Sequence, residues 1–227
     1  MPKVRLVVAT RAAQADFMDK TAIGRSLRLQ RYAELEIRLA PENRAGLPHV
    51  YNAAIEASRN DPCLLVFAHD DIHILDFNWI DQLAAALERF QVVGLAGNKR
   101  RVPRQPSWAF VDTQFTWDAR ENLSGVVGHG KGFPPANLSV FGAPGQQVKL
   151  LDGLLLAAWS RTLIEHGLRF DERFDFHFYD MDLCRSAEQK GVSCGTCALS
   201  VVHESGGSFG TPAWQAAYAR YLEKWGE

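Results

Sequence analysis

The sequence predicts an α/β fold, with a mostly parallel central sheet flanked by helices. Three observations carry that prediction. Val4 to Ala9 ("VRLVVA") and Cys63 to Ala68 ("CLLVFA") are near-continuous apolar runs of strand length, as expected of strands buried on both faces. Segments with helical spacing of apolar residues separate the strand-like runs. The resulting strand–helix–strand–helix–strand order is that of crossover units in a parallel sheet.

The 227 residues suit one large domain or two small ones, 47% of them are hydrophobic, and the formal net charge is -1. That composition argues against disorder, and the absence of a basic excess argues against nucleic acid as a partner. No apolar stretch reaches the roughly 18 residues of a membrane span. The apolar part of "MPKVRLVVAT" is too short for a signal-peptide core and reads as the first strand, so a cytoplasmic protein is expected. Cys194 and Cys197 form "CGTC" within a strand-like run, with no second ligand pair near by. The four cysteines are therefore read as structural.

Along the chain, a helix is expected over Ala22 to Tyr32. Leu35 to Leu39 alternates like a half-buried strand. "LPHVYNAAIEAS" is a helix with Val50, Ala53, Ala54 and Ala57 on one side, ended by "NDP". After Cys63–Ala68, "NWIDQLAAALERF" has Ile80, Leu83, Ala84 and Leu87 at helical spacing, with Asp76 or Asn78 able to cap it. "QVVGLAG" is a further strand. Residues 98–147 are rich in Gly, Pro, Asn, Trp and Phe and show no regular pattern; so long a segment is expected to be functional or mobile. "VKLLDGLLLAAW" reads as strand, turn, strand, and "RTLIEHG" as a short helix stopped by Gly167. "FYDMDLCRSAEQKG" is a helix with Met181, Cys184 and Ala187 on one face, closed by Gly191. "VSCGTCALSVV" is a late strand. "TPAWQAAYARYLEKW" is the last helix, with Thr211 as its N-cap and Pro212 at its first position.

Three polar clusters stand out. The strand Cys63–Ala68 runs into His69, Asp70 and Asp71, at the strand end where open α/β sheets bind ligands. Alternation puts His69, Asp71 and His73 on one side and Asp70 on the other. Carboxylate oxygens there suit Mg²⁺ or Mn²⁺ with a substrate phosphate; the plainer reading is a capped turn. The second cluster, "FDERFDFHFYDMD", interleaves Asp171, Glu172, Asp175, Asp180 and Asp182 with aromatic residues. Acids in a first helical turn are ordinary, but aromatic surroundings raise a carboxyl pKa toward that of a general base. In the third, His203 ends an apolar strand and opens the loop "HESGGS".

Taken together, these residues resemble the GT-A glycosyltransferases, more narrowly their bacterial family 2-like members. "NRAGLPHVYNAAIEASRNDPCLLVFAHDDI" is similar to that family's Asn-Arg-Gly run, Asn-bearing helix and strand ending in Asp-x-Asp. "DGLLLAAWSRTLIEHGLRFDERFDFHFYDMDLCRSAEQKG" is similar to its acceptor-side segment, and "VVHESGGS" to its late-histidine segment. The resemblance implies one GT-A domain over 1–227, with a nucleotide-sugar half at about 1–97 and an acceptor half at about 98–227. It implies that Asp71 and His203 bind Mn²⁺ or Mg²⁺, that Asp180 is the general base and that Asp182 positions acceptor or base. His69 stands where the motif has its first acid, and Tyr179 where it has a Glu. Thr10, Arg11, His69, Asp70, Asp152 and Gly153 are the candidates for the donor side. No counterpart of the family's base-reading Asp is visible after the second strand.

The implied function is metal-dependent, inverting transfer of a sugar from a nucleotide sugar (UDP-, GDP- or dTDP-linked) to a hydroxyl of a glycan, lipid-linked or protein acceptor. Such chemistry belongs to surface-glycan or polysaccharide synthesis, in the cytoplasm or peripheral to the inner membrane. Two rivals remain open: a phosphohydrolase with two metals among His69, Asp70, Asp71, His73 and His203, or a non-catalytic sugar-nucleotide or glycan-binding module. "NKRR" (Asn98 to Arg101) could meet a diphosphate or form a solvated turn. Trp108, Phe110 and Trp117 could stack on a sugar or fill a small core.

Overall fold

Apolar runs with no polar face must be covered on both sides, and the first strand is. In the computed structural model, which describes residues 3–30 and 35–226, β1 (Val4–Ala9) buries all six of its residues. Arg5 is buried with them because Glu36 Oε2 and Asp61 Oδ2 (both 2.9 Å) and Ser58 Oγ (2.5 Å) satisfy its guanidinium. The remaining strands are β2 (Leu35–Ala40), β3 (Leu64–Ala68), β4 (Ile72–Ile74), β5 (Val92–Gly94), β6 (Ala96–Asn98), β7 (Leu123–His129), β8 (Asn137–Gly142), β9 (Gln147–Val148), β10 (Leu150–Leu151), β11 (Leu155–Trp159), β12 (Cys194–Thr196) and β13 (Val201–His203). The α-helices are α1 (Phe17–Lys20), α2 (Ala22–Leu27), α3 (Leu47–Ala57), α4 (Trp79–Leu87), α5 (Ser160–Glu165), α6 (Tyr179–Gln189) and α7 (Pro212–Trp225).

Seven strands form one sheet in the order β2-β1-β3-β11-β5-β12-β9. β2, β1, β3, β5 and β12 run the same way, while β11 and β9 run against them. The expected mostly parallel sheet is present. A second sheet has the order β10-β6-β7-β13-β4, with β8 on β7. The two sequence halves interlock: β9, β11 and β12 join the sheet of β1–β3, and β4 and β6 join the other.

Several expectations change. "QVVGLAG" breaks at Leu95 into β5 and β6, one in each sheet, and "VSCGTCALSVV" likewise divides into β12 and β13. Residues 98–147 hold β7 and β8, paired antiparallel, so they are not without regular structure. The helix expected over Ala22 to Tyr32 is α2 alone within the described residues; Arg31 and Tyr32 lie outside them. α3 buries Pro48, Tyr51, Ala54 and Ile55, whereas Ala53 and Ala57 are exposed. Tyr51 and Ile55 take the core face with Ala54 between them, and the helix turns Ala53 and Ala57 outside. Neither expected cap closes α4: Asn78 makes no side-chain cap bond, and Asp76 accepts from Ser200 N at 2.5 Å. α7 is as expected, with Thr211 Oγ1 accepting from Trp214 N at 3.2 Å. All four cysteines are free and buried.

This topology gathers one edge. β1 and β3 end there, and β11, running oppositely, starts there. His69 N donates to Leu154 O at 3.1 Å, tying the end of β3 to the turn before β11.

Candidate active site

A cavity of about 490 Å³ opens at this edge. Ala9, His69, Asp70 and Asp71 line it from the ends of β1 and β3, and Asp152, Gly153 and Leu154 from the turn before β11. His203 enters from β13, Phe176 to Phe178 from the loop before α6, and Tyr179 to Met181 from its first turn. One ligand-type atom each of His69, Asp71 and His203 lie within 4.8 Å of one another. Asp71 Oδ2 faces His203 Nε2 at 3.2 Å and accepts from Ser205 Oγ at 2.6 Å. Burial would raise the Asp71 pKa, but the His203 and Ser205 bonds overcome it and bring it down to about 2. Burial likewise opposes charge on His203, yet Asp71 raises its pKa. Burial lowers that of His69 and keeps this imidazole neutral, the form a metal ligand requires. Asp71 Oδ1 is buried without a hydrogen-bond partner among the described residues. An unpaired carboxylate oxygen beside two imidazoles fits a divalent cation, since buried polar atoms are otherwise paired.

Across the cavity, Asp180 sits in the first turn of α6. Its Oδ1 accepts from Met181 N at 2.8 Å and its Oδ2 from Gly153 N at 2.9 Å. Burial, then the charge of Asp152, push its pKa up to about 7 against those two donors. Asp152 is fixed by Trp108 Nε1 (2.7 Å) and Leu154 N (2.9 Å). The loop before α6 is held in an unusual shape: Phe178 has φ 68°, the left-handed region that bulky residues avoid. Its ring packs on Trp214, Tyr218 and Tyr221 of α7, which hold it there.

The geometry therefore provides a neutral-range carboxylate and a cation-type ligand set in one cavity. Residues 21–217 match the family described as "Glycosyltransferase like family". The chain belongs to this family. Among solved structures it resembles GalNAc-T7 with UDP, GalNAc and Mn²⁺ (TM-score 0.61, 12% identity), over 98% of this chain and 48% of that one. It also resembles TarS 1-349 of S. aureus (TM-score 0.51, 12% identity), over 97% of this chain and 64% of that one. The same TarS fragment in complex with UDP superposes equally well, with a TM-score of 0.51. The chain thus spans less than two thirds of either relative. The fold is GT-A. No curated protein sequence matches the chain.

Not every expected residue of this family member faces the cavity. Thr10 is buried beneath it and donates from Oγ1 to Asp70 Oδ2 at 2.5 Å, bracing that cavity-lining carboxylate. Arg11 is exposed and does not line the cavity. His73 leaves the side it was expected to share with His69 and Asp71: its Nε2 lies 2.8 Å from Glu204 Oε1, and Arg25 joins the pair. "NKRR" meets protein groups: Lys99 Nζ donates to Glu121 O (2.7 Å), Arg100 Nε to Asp118 Oδ2 (2.9 Å), and Arg101 pairs with Glu188 (3.3 Å). Trp108, Phe110 and Trp117 do line the cavity, with Phe141, Phe209 and Trp214.

Asp182 turns away. It is fully buried and pairs with Lys224 Nζ at 2.6 Å and Trp225 Nε1 at 3.0 Å, fastening α7 to α6. Asp182→Ala is expected to cost about 3 kcal/mol, the scale for breaking a buried pair, in urea unfolding. The fraction that stays folded should keep kcat within about tenfold, below the 10²–10⁴ expected for a catalytic acid or base. Gly153 is fixed sterically: a Cβ there would overlap the Tyr179 hydroxyl and crowd Asp180 Cβ at 3.1 Å. Gly153→Ala should therefore displace both residues and lower kcat by at least tenfold with a smaller change in melting temperature, as steady-state kinetics and calorimetry would show.

Among the cavity residues that the sequence did not place in the site are His129, Ser205 and Tyr179. His129, at the end of β7, lies against Ser139 Oγ (3.0 Å) and beside His203, with ring centroids 6.1 Å apart. Ser205 holds Asp71, and Tyr179 bonds His69 at 2.9 Å. The only sequence signal for His129 was a histidine ending "LSGVVGH", a strand hidden by its glycines.

Proposed function

We propose that this chain is a metal-dependent, inverting glycosyltransferase that moves a sugar from a nucleotide-sugar donor to an acceptor hydroxyl. The observation that carries this reading is the shared cavity. A carboxylate with its pKa near 7 faces it from α6, and a His–Asp–His ligand set from β3 and β13. The UDP in both relatives, and the Mn²⁺ in one, support a nucleotide-sugar donor and a divalent cation.

His69, Asp71 and His203 would hold the cation. When bound, it neutralises the charge that builds on the departing diphosphate. Two imidazoles in the set favour Mn²⁺ over Mg²⁺, which prefers oxygen ligands. Asp180 takes the proton of the acceptor hydroxyl, which then attacks the anomeric carbon from the face opposite the leaving group. Gly153 N and Met181 N aim the carboxylate by bonding one lone pair of each oxygen. Asp70, braced by Thr10, and Asp152, braced by Trp108, offer oxygens to donor hydroxyls. The aromatic wall of Phe110, Trp117 and Phe209 keeps water from the acceptor side, and suits the ring face of a glycan. A cytoplasmic setting, at the inner membrane for a lipid-linked acceptor, completes this reading.

The two-metal hydrolase reading loses His73, which faces Glu204. The test is a panel of UDP-, GDP- and dTDP-sugars with Mn²⁺ or Mg²⁺, scored for transfer to glycan acceptors, with the product anomer read by NMR. Transfer with inversion, faster with Mn²⁺, is expected. Retention of configuration, or transfer unaffected by EDTA, would overturn the mechanism.

A further inference from the structure

The Tyr179 hydroxyl meets the backbone oxygen of Gly153, the His69 ring and the Tyr51 hydroxyl, which can itself donate into one of its lone pairs, and has one proton to give. The backbone oxygen of Gly153, 2.8 Å away, can only accept, so the proton goes there. His69 Nε2 lies 2.9 Å from the same hydroxyl. What the hydroxyl has left on that side is a lone pair, so Nε2 must carry the hydrogen. A neutral imidazole has a single N–H. Nδ1 is then the unprotonated nitrogen, the only ring atom of His69 able to bind a cation.

We propose that Tyr179 is a positioning residue: by accepting from His69 Nε2–H it fixes the tautomer and ring orientation that turn His69 Nδ1 into a metal ligand beside Asp71 and His203. The inference rests on the metal-site reading above. The surroundings are built for it. Phe176 stacks on the His69 ring (centroids 5.4 Å apart, planes at 28°), restricting its tilt. Tyr179 is buried, with its ring against Tyr51 and Phe170 at 5.9 Å each, so its hydroxyl is held in place. Gly153 leaves room for that hydroxyl because it has no Cβ. Bonds of this type from a metal-bound histidine commonly contribute 10- to 100-fold to metal affinity.

The test pairs two readouts on the full chain. In the metal-free protein, long-range ¹H–¹⁵N NMR of the histidine rings, with His69 assigned through His69→Gln, should show His69 protonated at Nε2. Mn²⁺ titration by calorimetry should give a Kd roughly 10- to 100-fold weaker in Tyr179→Phe, which keeps the ring and its packing. Circular dichroism and melting temperature should show Tyr179→Phe folded. His69 protonated at Nδ1 in the wild type would overturn the proposal, as would equal Mn²⁺ affinity in the folded variant. If the wild type binds no Mn²⁺ while His69 shows the Nε2–H tautomer, the metal-site reading itself has failed, and the ligand role with it. Should Tyr179→Phe unfold, Gly153→Ala, which displaces the same hydroxyl, must weaken Mn²⁺ binding or the proposal falls.

Discussion

Asp180→Asn is expected to lower kcat by about 10²- to 10⁴-fold, the usual contribution of a general base, while leaving the Kd for the nucleotide-sugar donor within about threefold. The amide keeps the shape and loses the basic oxygen. The pH profile gives the sharper version of the test. The base works only when ionised, and its pKa stands at about 7. Wild-type kcat/KM, which reports the free enzyme, should therefore fall roughly tenfold per pH unit below that value and level off above it. The residual activity of the variant should lack this inflection. Stability should move the other way. A carboxyl whose folded pKa is raised stabilises the protein below its unfolded pKa of about 3.9, and that contribution is lost as pH rises through about 7. Asn does not titrate. The variant's melting temperature should thus gain on the wild type between pH 4 and pH 7 and hold that advantage above. Full activity, or an unchanged pH inflection, would remove Asp180 from the base role.

The parts of the site that were legible are those whose signal is local. β1 and β3 announce themselves because a strand buried on both faces carries a nearly unbroken apolar run, with Arg5 the one polar residue in the two. α7 is readable from Thr211 and Pro212, and the stops at Gly167 and Gly191 reflect positive φ values of 57° and 69°. His69, Asp71 and His203 were suspected because each ends a strand. What stayed hidden needs the third dimension. An apolar run reads the same whether its two ends serve one sheet or two, so the break at Leu95 was invisible. β7 and β8 are interrupted or ended by glycines at 125, 128 and 142, where close backbone approach leaves no space for a Cβ. Asp182 and Asp180 look alike in sequence, two positions apart. On a helix that spacing points them to different sides, one to the cavity and one to Lys224. The two departures from the family pattern, His69 and Tyr179, turn out to touch each other, which no reading of either position alone could supply.

Asp71→Asn is expected to abolish the thermal response to Mn²⁺. In the wild type, Mn²⁺ at 100 times its Kd should add about 2.7 kcal/mol. For a chain of this size that is a rise of roughly 5–10 °C in melting temperature. Asp71 is the only carboxylate in the ligand set, and its Oδ1 is the buried atom that lacks a partner. Replacing it by an amide leaves two neutral imidazoles and removes the negative charge that draws the cation in. The loss of affinity should exceed the 10- to 100-fold associated with residues that merely orient a ligand. Metal-free stability separates this effect from misfolding. Asp71 has a depressed pKa of about 2, so its ionised form stabilises the fold above about pH 3.9, and that contribution is lost as pH falls toward 2. The variant should therefore be somewhat less stable than the wild type at pH 7 without metal, and equal to it near pH 2. Adding Mn²⁺ at pH 7 should then widen the gap by the full binding contribution. His203→Ala should reduce the Mn²⁺ response less severely, because a neutral ligand is lost and the charge of Asp71 remains. An Asp71→Asn protein that gains as much from Mn²⁺ as the wild type would show that the cation binds elsewhere.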